Sequence, residues 1–185
     1  MNGLHIICGP MYSGKTTRLI NNYNDLSYKY KQLIIDYNQE QVDEIKYDKL
    51  YNHNNLSINC IKLLHIENIY NIKEFHNIDI IHVNEAQFFL NLFNIVVELV
   101  EKYKKTVYIY GLECDYKRET FGDIINLIKN CDSICKLTSI CNKCKNIAIF
   151  SHRIKNIEGQ VVFNNKEENI YIPLCRNCYN KFNIN

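Results

Sequence analysis

The chain has no tryptophan, two prolines and six glycines among 185 residues, and no apolar run of the length a membrane span requires. A bilayer-crossing helix needs about 18–20 consecutive apolar residues, so a spanning segment is excluded. An excess of one charge is also missing. Twenty-two basic residues face 20 acidic ones, the net charge is +2, and there is no long basic block. That balance argues against nucleic acid as the main partner. A secretory leader does not fit, because a strand-like apolar run begins within three residues of Met1. The shortage of Trp and Pro accompanies an abundance of Asn, Ile, Lys and Tyr, a bias that reads as an AT-rich coding sequence rather than as function. Any single Asn therefore carries little weight.

Cysteine is plentiful, with nine residues, but the count is odd and the chain is too long and core-rich for a disulfide scaffold. Four of the nine form two CxxC pairs. The other five, Cys8, Cys60, Cys114, Cys131 and Cys135, lie mostly in apolar surroundings and read as reduced core thiols of a cytosolic protein.

The most informative run is GPMYSGKTT, Gly9 to Thr17, which fits G-x-x-x-x-G-K-[ST]. The apolar run Leu4 to Cys8 reads as a strand before it, and Thr17 to Tyr30 as a helix after it. A chance Gly-Lys-Thr turn would not need that strand–loop–helix order, whereas phosphate binding does. The loop's amides and the helix N-terminus supply positive potential. Lys15 has the reach for the terminal phosphates, and the Thr16 hydroxyl suits Mg²⁺.

Further strands are expected at Gln32–Asp36, Asn59–Leu64, Ile78–Val83, Thr106–Tyr110 and Ser133–Leu137. Helices are expected at Asn91–Lys105 and at Phe121–Lys129, the latter with Ile124, Ile125, Leu127 and Ile128 inward. The polar stretch Tyr37–Ser57 reads as a mobile surface segment. Strands alternating with helices imply an α/β fold, a mainly parallel sheet covered by helices. Ligands of such sheets bind beyond the carboxyl ends of the strands. Gly9, Asn84-Glu85 and Leu112-Glu113 all follow strand ends and should share one cleft.

From Thr138 the character changes, which places a boundary near Leu137: residues 1–137 for the nucleotide-binding domain and 138–185 for a small second one. Cys141-x-x-Cys144 and Cys175-x-x-Cys178 are separated by thirty residues. Two such turns close a tetrahedron of thiolates, which suits a structural Zn²⁺, and a subdomain with so little core needs one. Redox pairs are the alternative, and an iron–sulfur cluster is compatible with the ligands alone.

The strand Ile78–Val83 runs into Asn84-Glu85-Ala86-Gln87-Phe88-Phe89. Phosphate-loop proteins usually end this strand in an Asp that supports Mg²⁺; here it is Asn84. Glu85 is placed to accept a proton from an attacking hydroxyl, or else is a helix-start acid or a surface ion-pair partner. Phe89 reads as core, whereas Phe88 suits either the core or stacking on a base.

Together GPMYSGKTT, NEAQFF, YGLECDYKRETFG, KLTSICNKC and YIPLCRNCY resemble the cellular and poxvirus-like (type II) thymidine kinases, in order and spacing, from about Leu4 to Tyr179. The resemblance implies a phosphate-loop domain with a zinc-bearing lasso domain, and transfer of the ATP γ-phosphoryl group to the 5′-hydroxyl of thymidine. It implies an ATP site at Gly9, Pro10, Met11, Tyr12, Ser13, Gly14, Lys15, Thr16, Asn84, Glu85, Ala86 and Gln87, with Glu85 as general base. It implies a nucleoside pocket of Met11, Phe88, Leu112, Tyr116, Phe121, Ser151 and Tyr171, with Arg153 close by and the lasso stretch Gln160, Val161, Val162, Phe163 and Asn164 holding the base. It also implies a homotetramer or dimer, feedback by thymidine triphosphate, and a cytoplasmic enzyme (host cytoplasm if viral). Three departures stand out: Asn84 for Asp, Glu40-Gln41-Val42 for Asp-x-Arg, and Asn164-Asn165 for Gly-Gly. The competing readings are a nucleotide-binding protein with little turnover and a zinc-ribbon ATPase acting on nucleic acid.

Overall fold

A computed structural model of the protein describes residues 2–40, 42–52, 55–161 and 169–183. The chain runs β1 (Gly3–Cys8), α1 (Lys15–Leu26), β2 (Gln32–Tyr37), β3 (Lys46–Tyr51), β4 (Ser57–Leu63), β5 (Ile80–Val83), α2 (Leu92–Glu101), β6 (Thr106–Gly111), α3 (Ile124–Leu127) and β7 (Ser133–Lys136). These strands form one seven-stranded sheet in the order β3-β4-β2-β5-β6-β1-β7. Every neighbouring pair is parallel except β3 with β4. Parallel strands covered on both faces are apolar throughout, which is why the runs at β1, β2 and β5 carried no alternation. One face packs Ile7, Ile34 and Tyr110 under Leu19 and Ile20 of α1. The other packs Ile6, Ile35, Ile81, Val83 and Ile109 under Leu92, Val96 and Leu99 of α2.

Three expectations are corrected. The stretch Tyr37–Ser57 contains strand β3, registered against β4 from Lys46↔Lys62 to Tyr51↔Ser57. It escaped notice because it is an antiparallel edge strand on which only Leu50 is buried, while Tyr47 is 72 % exposed. The helix expected over Phe121–Lys129 is a single α turn, Ile124–Leu127, continued by a 3₁₀ turn. Ile124 and Leu127 point inward, but Ile125 and Ile128 are about 40 % exposed. The thiols also divide: Cys8 and Cys60 are buried, Cys114 and Cys131 are half-buried and Cys135 is exposed, so only two of the five are core.

A polar chain lies beneath α1. Asn22 Nδ2 donates to Tyr110 Oη at 3.0 Å, and Tyr110 Oη meets His82 Nδ1 at 3.2 Å. His82 Nε2 meets Gln32 Oε1 at 2.8 Å. Gln32 Oε1 can only accept, so Nε2 carries a proton, and burial, which holds the His82 pKa down at about 3, leaves Nδ1 unprotonated to accept from Tyr110. The unfolded chain therefore takes up a proton below about pH 6.5 that the native state refuses, and stability falls by about 1.4 kcal/mol per pH unit. Asp36 acts in the opposite sense, since burial raises its pKa to about 6 and the native state gains its proton first. His82→Asn isolates the first contribution. The stability gap between the variant and the wild type, from urea melts, should shift in the variant's favour by about 1.4 kcal/mol for each unit from about pH 6 to 4. A gap independent of pH would mean that the native ring is charged.

Among the described residues after β7 come four short strands and a helix: β8 (Ser139–Ile140), β9 (Ile147–Ala148), β10 (Phe150–Arg153), β11 (Tyr171–Leu174) and α4 (Arg176–Asn183). They make two two-stranded sheets, β8 with β9 and β10 with β11.

Candidate active site

The parallel sheet releases three segments at one edge: GPMYSGKTT after β1, NEAQFF after β5 and LECDY after β6. Glycine is required at the first turn. Gly9 has φ +150°, and a Cβ there would stand 2.5 Å from the Leu137 carbonyl oxygen. Gly14, at φ +85°, turns the chain into α1, whose first i→i−4 bond is Arg18 N to Gly14 O at 2.9 Å. The amides before Arg18 are thus the helix's open positive end. Within the loop Ser13 Oγ is buried with no partner among the described residues, and Thr16 lines the cavity. Lys15 Nζ donates to the carbonyls of Gly9 at 3.0 Å and Pro10 at 2.9 Å. Burial lowers the Lys15 pKa, opposed by the charges of Glu85 and Glu113. Glu113 itself is paired with Lys136 at 2.9 Å.

Glu85 sits at φ +49°, where the chain leaves β5 for the short 3₁₀ turn Ala86–Phe88. Gln87 Nε2 donates to Glu85 Oε2 at 2.6 Å, and Gln87 Oε1 accepts from Leu112 N at 2.9 Å. Gln87 is therefore a buried brace between the ends of β5 and β6. It lies so close over Gly111 that a Cβ there would clash with its Oε1. Phe88 is held between Tyr37 and Phe121, with ring centroids 5.1 and 5.3 Å away. Phe89 turns to the other face and is buried in the core.

The second half of the chain closes the opposite wall. Ser151 Oγ accepts from Met11 N at 2.9 Å, Ser139 Oγ donates to Tyr12 O at 3.0 Å, and Tyr12 Oη donates to Asn169 at 3.1 Å. Gln160 Nε2 donates to Asp115 Oδ2 at 3.0 Å. Arg153 lies 3.6 Å over the Tyr116 ring and donates through Nη2 to Gly159 O at 2.8 Å.

The result is a cavity of about 380 Å³, in the range that small-molecule sites occupy. Met11 to Thr16, Glu85, Gln87 and Phe88 line it, as do Leu112, Tyr116, Phe121, Ser151, Gln160, Val161 and Tyr171. Gly9, Pro10, Asn84 and Ala86 are not among its lining residues, and Val162, Phe163 and Asn164 fall outside the described residues. Thr17, Gln39, Asn52, Cys114, Asp115 and Asn169 also line the cavity and were not expected. Thr17 lies in the first turn of α1 and the others lie in loops, and only their convergence in space distinguishes them. The Val42 position, where an Arg was expected, is 45 % exposed, and its neighbour Glu40 is paired with Lys46 at 2.9 Å.

The four cysteines of the CxxC pairs also converge. Their Sγ atoms all lie within 4.8 Å of one another, and Cys144 and Cys175 are 3.5 Å apart. That spacing and an all-sulfur donor set suit a tetrahedral thiolate site that can hold a metal such as zinc.

Comparison with known proteins agrees with this geometry. The family model described as thymidine kinase matches residues 2–179. A thymidine kinase of Choristoneura biennis entomopoxvirus is 35 % identical over 97 % of both chains. Thymidine kinase 1 of Dictyostelium discoideum is 31 % identical over 96 % of this chain and 77 % of its own. A fowlpox virus thymidine kinase is 31 % identical over 95 % of this chain and 96 % of its own.

Proposed function

We infer the chemistry of the site from one premise: the chain belongs to the thymidine kinase family and phosphorylates thymidine. The observation that carries the assignment of roles is that the phosphate loop, Glu85 and an aromatic pocket wall share a single cavity. The ATP phosphates occupy the loop, wrapped by its amides and by Lys15, with the buried Ser13 hydroxyl as a further partner. The thymine ring lies against Phe88, among Met11, Leu112, Tyr116, Phe121, Ser151, Gln160, Val161 and Tyr171. Glu85 takes the 5′-hydroxyl proton, and Gln87 holds its carboxylate toward the cavity. Magnesium, which arrives with ATP, supplies positive charge at the transferring phosphoryl group, and Thr16 offers it a hydroxyl. The rest of the catalysis is positioning and electrostatic stabilisation.

The zinc has a structural role in this reading. Cys141, Cys144, Cys175 and Cys178 fill all four positions, so no site is left for substrate. The functional division falls near Leu137, with phosphate handling before it and nucleoside closure after it. A homotetramer or dimer, inhibition by thymidine triphosphate and a cytoplasmic location follow from the resemblance of the motifs. Among the described residues no helix is long and apolar enough to cross a membrane.

Coupled ATP turnover tests the reading. Thymidine and deoxyuridine should be phosphorylated and purine nucleosides should not, because the pocket is narrowed by Phe88 held between Tyr37 and Phe121. The Ser151 hydroxyl is engaged by the Met11 amide, and its side chain is smaller than Thr, so bulkier 5-substituents should be tolerated. Comparable turnover of deoxyguanosine would overturn the pocket assignment. ATP hydrolysis stimulated by DNA would favour a nucleic-acid ATPase instead.

A further inference from the structure

The strand-end position that usually carries a carboxylate holds Asn84, and the structure shows where a carboxylate has gone. Asp36, on the neighbouring strand β2, is 9 % exposed, and its Oδ1 accepts from Asn84 Nδ2 at 2.8 Å. The two strands are fixed in register here, Ile35 opposite Val83, and Asn84 N donates to Ile35 O at 2.8 Å. The cation nearest Asp36, Lys62, is already taken by Asp48 at 2.9 Å. Asp36 is thus a buried acid whose close partner is Asn84, the residue just before Glu85.

We propose that Asp36 is a positioning residue for the Mg-nucleotide, acting through Asn84, and that the pair together replaces the strand-end aspartate. An ionised carboxylate only accepts hydrogen bonds, so Asp36 compels Asn84 to present its amide nitrogen. The carbonyl Oδ1 of Asn84 is left for another partner. Among the described residues it accepts no hydrogen bond. An Asn held in this way offers the acceptor that an aspartate oxygen would offer to a metal-bound water, and the negative charge stands one strand behind it. The two side chains carry one negative charge and one hydrogen bond between them. Asn84→Asp alone would put two carboxylates 2.8 Å apart, which requires them to share a proton. Exchanging the residues keeps both the charge and the bond.

This proposal rests on the phosphate-loop reading of the site. The test measures how much Mg²⁺ strengthens ADP binding, by calorimetry with and without the metal, together with the Mg²⁺ concentration for half-maximal turnover. Wild type should show a clear gain of ADP affinity with Mg²⁺. Asp36→Asn, in which two amides can still pair, should lose about tenfold of that gain and need about tenfold more Mg²⁺, at the lower end of effects seen when a group supporting a metal's ligands is removed. The exchange Asp36→Asn/Asn84→Asp should recover both to within about threefold of wild type. Asp36→Asn with an undiminished gain, or an exchange variant no better than the single one, overturns the proposal. Should Asp36→Asn not fold, the exchange variant still decides it, because a folded exchange variant without the Mg²⁺ gain refutes it. A wild type with no Mg²⁺ gain at all would bring down the phosphate-loop reading too, so the two failures are distinguishable.

Discussion

Glu85→Gln should lower turnover by about 10²–10⁴-fold while ATP affinity stays within a few-fold, since a positioned general base contributes rate and not donor binding. The corresponding loss of transition-state stabilisation is about 3–5 kcal/mol. Gln preserves length and shape, so the left-handed turn at φ +49° and the cavity wall persist. Its amide oxygen can still accept from Gln87 Nε2, now 2.6 Å from a carboxylate oxygen. The proton acceptor alone is lost. Lys15, the loop amides and Ser13 are untouched, so the phosphates keep their partners. Steady-state rates with thymidine, set beside nucleotide affinity by calorimetry, give both quantities on one preparation. A variant that keeps most of its turnover would make Glu85 a structural acid and move the base elsewhere in the cavity.

Cys141→Ser or Cys175→Ser should release zinc and unfold the region after β7 while the seven-stranded sheet remains. The apolar cluster around these cysteines is small: Cys141, Ala148, Phe150, Leu174, Cys175 and Tyr179 are its buried members. Zinc binding in small structural sites is worth about 10–16 kcal/mol, as large as the whole stability of a typical domain, about 5–15 kcal/mol. A serine hydroxyl does not replace a thiolate on the metal. Nucleoside binding should fail with the fold, because Ser151, Gln160 and Tyr171 belong to this region, and Ser151 and Ser139 hold the phosphate loop from it. Metal analysis and limited proteolysis test the expectation together. Wild type prepared without chelator that contains little or no zinc would overturn the assignment.

These two predictions draw on different kinds of legibility. The phosphate loop and the CxxC pairs are local patterns, in which spacing itself encodes geometry. Two thiols in a CxxC turn share one side of a metal, and glycines at fixed offsets let the backbone wrap a phosphate. The structure adds little to them beyond the reason for Gly9, the nearby Leu137 carbonyl. Glu85 was legible only as a strand-end acid, with a structural role equally open. The structure adds its left-handed backbone, immediately before a 3₁₀ turn, and its brace from Gln87. Gln87 was read as part of the ATP site; it lines the cavity, and its amide also engages Glu85 and the Leu112 amide.

What the sequence by itself determined is the α/β class, six of the seven strands of the sheet, the phosphate loop, the four paired thiols and the family. Each follows from residues close together in the chain or from motifs of fixed spacing. The edge strand β3 lay beyond its reach, because that strand exists through pairing with β4 and buries only Leu50. The outward turn of Ile125 and Ile128 was decided by tertiary packing, which buries Ile124 and Leu127 in the core instead. The loss of charge at Asn84 can be read only beside Asp36, and 48 residues separate them in the chain. Parallel pairing of β2 with β5 brings the two together, and a contact that depends on register between distant strands leaves no local pattern in the sequence.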